Sequence, residues 1–127
     1  MQNVIPTLRM TSYEQTKRFY TEGLGFAIDW EHRFQPGFPV FMQVTRAGLT
    51  IYLSEHRGDC QPGGLVHLFV NDVDAWYQEW TGSVSRISTG LSKLNGPPTE
   101  EIPGLRMFTA VDPDGNQLRV ATRTGGE

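Results

Sequence analysis

One order of elements runs through this chain twice. Residues 3–10 carry a short strand signal with Val4, Leu8 and Met10 on one face. Ser12 then offers an N-cap with Gln15 three residues later, the spacing of a capping box. Tyr13, Thr16, Phe19 and Tyr20 recur at helical intervals until Gly23 and Gly25 stop the run. Residues 26–32 read as a strand, and residues 38–46 and 49–54 as a hairpin turning through Ala47 and Gly48. From Leu65 the same order returns. Residues 65–70 read as a strand, Asp72 as an N-cap, and Val73, Trp76, Tyr77 and Trp80 follow the i, i+3, i+4, i+7 rule of an amphipathic helix. A weaker strand signal near residues 84–88 precedes a loop holding Asn95, Gly96, Pro97 and Pro98. Residues 105–111 and 117–122 then close the chain around the turn Asp112-Pro113-Asp114-Gly115-Asn116. Two β-α-β-β-β modules of about sixty residues, joined by the Pro- and Gly-rich stretch 57–64, constrain the fold more than any single element.

Alternation along the strands assigns faces. Leu49, Ile51 and Leu53 belong under the helices, leaving Thr50, Tyr52 and Ser54 opposite. In the last strand Leu118 and Val120 are apolar, with Gln117 and Arg119 opposite. The repeat therefore places Tyr52 and Arg119 at equivalent positions on the faces away from the helices. If Val44 pairs with Leu49, Gln43 and Phe41 join Thr50 and Tyr52 there. A mixed aromatic and polar face on a curved sheet is how a small-molecule cleft is lined, and a half-solvated antiparallel sheet is the plainer alternative.

Composition removes whole classes of function. The 127 residues carry 11 Lys+Arg against 14 Asp+Glu, a net charge of −3, without the basic run that a nucleic-acid binder displays. No apolar stretch approaches the roughly 20 residues of a membrane-spanning helix, and no leader pattern is visible at Met1-Gln2-Asn3-Val4. One cysteine, Cys60, forms no internal disulfide, so a cytoplasmic location is expected. In its loop the thiol has no evident activating partner. Glu31-His32 and Glu55-His56 are adjacent pairs whose members point to opposite strand faces, so spacing alone makes neither a dyad. Glu100-Glu101 reads as a solvated loop.

The repeat, Phe19-Tyr20 ahead of Leu24-Gly25-Phe26, and the closing Phe108 with Val111-Asp112-Pro113-Asp114-Gly115-Asn116 resemble the vicinal oxygen chelate superfamily. That group includes glyoxalase I, extradiol dioxygenases, fosfomycin-modifying enzymes and bleomycin-resistance proteins. The likeness covers nearly the whole chain and is nearest to the bleomycin-binding branch, which has similar segments at Val4-Ile5-Pro6-Thr7-Leu8, Tyr77-Gln78-Glu79-Trp80, Gly96-Pro97 and Arg106-Met107-Phe108. It implies an α+β fold of two βαβββ modules whose curled mixed sheets surround a cavity. The expected layout is one domain over residues 1–127, with module 1 at about 1–56 and module 2 at about 64–123.

The resemblance also sets the metal question. Metalloenzymes of this group place His, Glu or Gln at four inward strand positions, which carry over here to Ile5, Tyr52, Leu65 and Arg119. None of the first three is a usual ligand, and Arg119 repels a divalent ion. A slip of one residue turns every side chain to the other face. A slip of two brings in His67 alone, and a lone His on an apolar strand is more often packing. The expectation is a protein with no metal, no cofactor and no catalytic residue.

What remains is binding by shape and stacking. The position of a drug-stacking aromatic in the bleomycin-binding branch is His67 here, and that of a second stacking Trp is Gly104, so that contact is missing. The segment at residues 32–38 is longer and supplies Phe34 and Phe38, with Trp30 just before; for each of these, core packing stands as the alternative to ligand contact. An inward Arg119 suits a carboxylate, phosphate or phenolate better than a cation. The expected ligand-binding set is Phe38, Phe41, Gln43, Tyr52, His67 and Arg119, the aromatics and His67 as walls and Gln43 and Arg119 fixing orientation. The expected partners are a small aromatic or amphiphilic molecule, held by sequestration as in antibiotic resistance, and a second copy of the chain, since the resemblance implies a homodimer, with the N-terminal strand exchanged in some members. Pro6, tolerated at a sheet edge, fits that exchange. Neither nucleic acid nor membrane is expected. The alternatives are an enzyme of the same group with metal ligands relocated to His67, His32 or Glu31, and a module whose open sheet holds a partner protein.

Overall fold

The computed structural model describes residues 2–87 and 90–125. Its elements run β1 (Thr7–Arg9), α1 (Tyr13–Arg18), a π turn (Phe19–Gly23), β2 (Ala27–His32), β3 (Phe41–Arg46), β4 (Leu49–Ser54), β5 (Leu65–Phe69), α2 (Val73–Ser85), β6 (Lys93–Ile102), β7 (Leu105–Val111) and β8 (Gln117–Arg123). They form two four-stranded mixed sheets, ordered β1-β4-β3-β2 and β5-β8-β7-β6, and no closed barrel. In each, the first strand of the module pairs in parallel with the last, and the other contacts are antiparallel. The α+β fold of two βαβββ modules is therefore present.

The local signals act as their chemistry dictates. Ser12 and Asp72 cap the two helices, each side chain accepting from the backbone N–H three residues on. The first helix ends by widening into the π turn, which lets the consecutive Phe19 and Tyr20 both reach the core. The hairpin turns in two residues, with Ala47 at φ 51° and Gly48 at φ 82°. This tight turn pairs Arg46 with Leu49 and so Val44 with Ile51, rather than with Leu49 as expected. The displacement is two residues, so the face assignment survives.

Further expectations fail. Val84 and Ser85 continue α2, where Val84 is buried one turn after Trp80, and Arg86 and Ile87 form a turn. Ser88 lies outside the described residues. The sixth strand is instead β6, running through Asn95, Gly96, Pro97 and Pro98; the sheet edge tolerates prolines that donate no ladder bond, and the register breaks between Asn95 and Thr99. Val4 is 81% exposed rather than part of the buried face, because β1 begins only at Thr7.

Both modules feed one core, in which Leu8, Met10, Phe19, Tyr20, Ile51 and Leu53 meet Leu68, Trp80, Phe108, Leu118 and Val120. The closing turn is the main polar link between them. The Tyr20 hydroxyl donates to Asp112 Oδ2 at 2.9 Å, Asn116 Nδ2 donates to the Arg9 carbonyl at 2.8 Å, and Thr11 N donates to Asp114 at 2.9 Å. On the helix side, the Trp80 indole N–H and the Ser83 hydroxyl donate to the carbonyls of Leu24 and Gly23. Arg46 lies over the Trp76 ring and pairs with Glu79 at 2.7 Å.

Candidate functional site

With the helices covering one side of each sheet, what lies on the other side follows from the register. In the first sheet Thr7, Tyr52, Gln43 and Trp30 stand in one row across all four strands, and Arg9, Ser54, Phe41 and His32 in the next. In the second, His67, Arg119, Thr109 and Asn95 form the matching row. Tyr52 and Arg119 thus hold the same place in their modules, as the repeat requires.

The first open face is aromatic. Trp30, Phe41 and Tyr52 touch one another, with ring centroids 5.9 Å apart for Trp30–Phe41, 5.8 Å for Trp30–Tyr52 and 5.0 Å for Phe41–Tyr52. A bulge at Asp29 brings Trp30 here, since Ile28 faces Val44 and Trp30 faces the adjacent Gln43. Asp29 shares the same face and accepts from Gln43 Nε2 at 2.8 Å and Thr45 Oγ1 at 3.1 Å. Beside these rings lies a cavity of about 650 Å³ lined by Trp30, His32, Phe34, Phe41, His56 and Asp59. The Phe34 ring stands edge-on to the imidazoles of both His32 and His56. Ser54 Oγ donates to Asp59 at 2.6 Å and accepts from His56 N at 3.0 Å, which fixes the turn carrying both residues.

The second open face is polar. Arg119 lines a cleft of about 530 Å³ with Asn95, Thr99, Glu101, Met107 and Thr109. Its guanidinium donates to Gln117 at 3.3 Å and makes no ion pair among the described residues. His67 is the neighbour of Arg119 in register.

The six expected binding residues therefore fall into three places within one chain. Phe41, Gln43 and Tyr52 share the first open face, His67 and Arg119 share the second, and Phe38 lines a separate cleft with Arg9, Tyr13, Arg33 and Glu55. His56, Asp59 and Asp29 were not foreseen. The bulge that brings Trp30 to this face has no local sequence signature, and His56 lies past the end of a strand, where alternation no longer assigns faces.

The donor set does not fit a divalent metal. The residue in register with Tyr52 on β1 is Thr7, two residues beyond Ile5, and that with Arg119 on β5 is His67, two beyond Leu65. One imidazole, a phenol, a hydroxyl and a guanidinium cation do not make a metal site. Among the described residues no group of three or more His, Cys, Asp or Glu is placed to hold a metal ion. The Cys60 thiol is pushed up first by burial and then by Asp59, with Arg9 opposing, so less of it is thiolate near neutral pH than in a free thiol.

Comparisons with known proteins agree with this architecture. A family model described as glyoxalase superfamily protein matches residues 1–127. No curated protein matches the chain in sequence. Among solved structures, a bleomycin-binding protein complexed with bleomycin aligns with a TM-score of 0.75 at 24% identity, covering 98% of this chain and 100% of that one. TnmS3, an antibiotic binding protein from Streptomyces sp. CB03234, aligns with a TM-score of 0.73 at 23% identity over 98% of both chains. A glyoxalase/bleomycin resistance protein from the same Streptomyces strain reaches 0.71 at 25% identity, over 94% of this chain and 99% of that one. The structural likenesses carry the fold; with its full length matched by the family model, the chain belongs to the glyoxalase superfamily.

Proposed function

We propose that this protein is a metal-free binder of the bleomycin-resistance type, which sequesters a small aromatic or amphiphilic molecule in the cytoplasm. The observation that carries the reading is the cluster of Trp30, Phe41 and Tyr52 on an open sheet face beside a cavity of about 650 Å³. Flat rings in mutual contact offer a stacking wall that needs no catalytic group. Similar folds that bind bleomycin and another antibiotic support it.

In this reading Phe41, Tyr52 and Trp30 stack on the ligand, Gln43 orients it, and Arg119 with His67 receives an anionic or phenolic edge. The whole chain acts as one domain of two modules. The two halves of that site lie on different sheets, so we place them together in a homodimer, where the second sheet of one copy covers the first sheet of the other. Leu65, Phe69 and Ile102, all exposed on the second sheet, are apolar surface that such an arrangement removes from water. The strand β1 pairs with β4 of its own chain through three residue pairs, few enough for exchange between copies.

The test is calorimetric titration of chelator-treated protein with metal-free bleomycin and with a panel of aromatic acids. Saturable binding to wild type, weakened about tenfold or more in Phe41→Ala and in Arg119→Gln, is the expected result; tenfold corresponds to about 1.4 kcal/mol. Binding that appears only after a divalent metal is restored would replace this reading with an enzymatic one.

A further inference from the structure

We propose that the cleft beside the end of β1 is a second binding site, for a small oxyanion such as a phosphate or carboxylate group. The cleft measures about 370 Å³ and is lined by Arg9, Thr11, Tyr13, Arg33, Phe38 and Glu55, among others. It shares no lining residue with the aromatic cavity and lies on the other side of the segment 33–39, which sends Phe34 into one and Arg33 and Phe38 into the other.

Two arginines line this space, and neither is paired with its one lining carboxylate, Glu55. Arg9 Nε is buried and has no hydrogen-bond partner, and neither Arg9 nor Arg33 forms an ion pair among the described residues. Arg33 spends one donor on the Phe38 carbonyl, at 2.6 Å, which holds its guanidinium near the Tyr13 ring. The acids nearby already serve protein donors. Glu55 Oε1 accepts from Val40 N at 2.9 Å, Glu31 accepts from the Tyr13 hydroxyl at 2.6 Å, and Asp114 takes both donors of Thr11. That leaves the arginines as the groups with unspent donors in the cleft.

A buried guanidinium N–H without a partner is costly, and a second cation in the same cleft adds repulsion. An oxyanion in the cleft offsets the repulsion by accepting from the terminal nitrogens of the two planar forks, Arg9 Nε itself having no surface open to a ligand. Glu55 keeps the cleft near a single net positive charge, which suits one small anion rather than a polyanion. The inference goes beyond the aromatic-binding reading and does not depend on it.

The test is titration of the protein with inorganic phosphate and, separately, with acetate, each at fixed ionic strength set by chloride, read by calorimetry and thermal shift. Saturable binding of one of these at one site per chain is expected, weakened about tenfold or more by Arg33→Gln and by Arg9→Met. Arg86→Gln, the same charge lost from the end of α2, should leave it unchanged. The anion that saturates identifies the ligand chemistry. If Arg9→Met does not fold, Arg33→Gln on the surface segment decides. Stabilisation that chloride reproduces, or binding equal in wild type and Arg33→Gln, would overturn the site.

Discussion

Trp30 is the residue on which the aromatic face depends. It touches both Phe41 and Tyr52 yet remains 41% exposed, so its ring serves the open face more than the core. Trp30→Ala should therefore weaken an aromatic ligand about tenfold or more while costing less than about 1 kcal/mol of stability, well below the ~3–5 kcal/mol of a core Trp. Ligand titration and urea unfolding of the same sample separate the two. Ala47 presents the opposite case, a side chain with no part in the site but held at φ 51° in a two-residue turn. Ala47→Gly should raise stability by about 1 kcal/mol, read as a higher urea midpoint at unchanged slope. Tyr52 and Arg119 were legible in the sequence because strict alternation and the repeat fix their faces. Trp30 was not legible as part of that face, because the bulge at Asp29 breaks the period of two without a distinctive residue and turns the next side chain to the open side.

At the scale of elements, the closing turn 112–116 does more than reverse the chain. Asp112 is fully buried and accepts from Tyr20, from both N–H groups of Asn116 and from Asp114 N. Burial raises its carboxyl above the ordinary 3.8, with the bonds from Asn116 and Tyr20 opposing. The sign follows directly. Between 3.8 and the raised value the folded chain holds a proton that the unfolded chain has released, so this group makes stability fall as pH rises through that window. Urea midpoints across that range should show the slope in wild type and lose it in Asp112→Asn. Tyr20→Phe should cost about 1–3 kcal/mol at neutral pH, since it strips a donor from a buried carboxylate. The turn was legible from its residue types, but its role as the link between modules was not, because its partners Arg9, Thr11 and Tyr20 lie some hundred residues away. The element misread from sequence, β6, shows the converse: Pro97 and Pro98 signal a loop locally, whereas an edge position makes them compatible with a strand. The apolar signal at Val84, read as a weak strand, belongs to α2 instead, because Val84 lies one turn after Trp80 on the same buried face.

For the whole molecule, the two modules put unlike chemistry at equivalent places, aromatic rings around Tyr52 and a guanidinium at Arg119. A ligand that uses both must meet two sheets, and the proposed homodimer brings them together. Light scattering at micromolar concentration should give twice the 14.3 kDa chain mass, and a monomer would remove the shared cleft. No described helix is long and apolar enough to cross a membrane. The central claim is that the aromatic face binds a planar ligand without metal. Its most direct test is a fluorescence titration of chelator-treated protein with 8-anilinonaphthalene-1-sulfonate, an aromatic anion, in wild type and Trp30→Ala. The account predicts one saturable site per chain in wild type and about tenfold weaker binding in a folded Trp30→Ala variant. Equal binding in the two proteins, or none until a divalent metal is added, would contradict it.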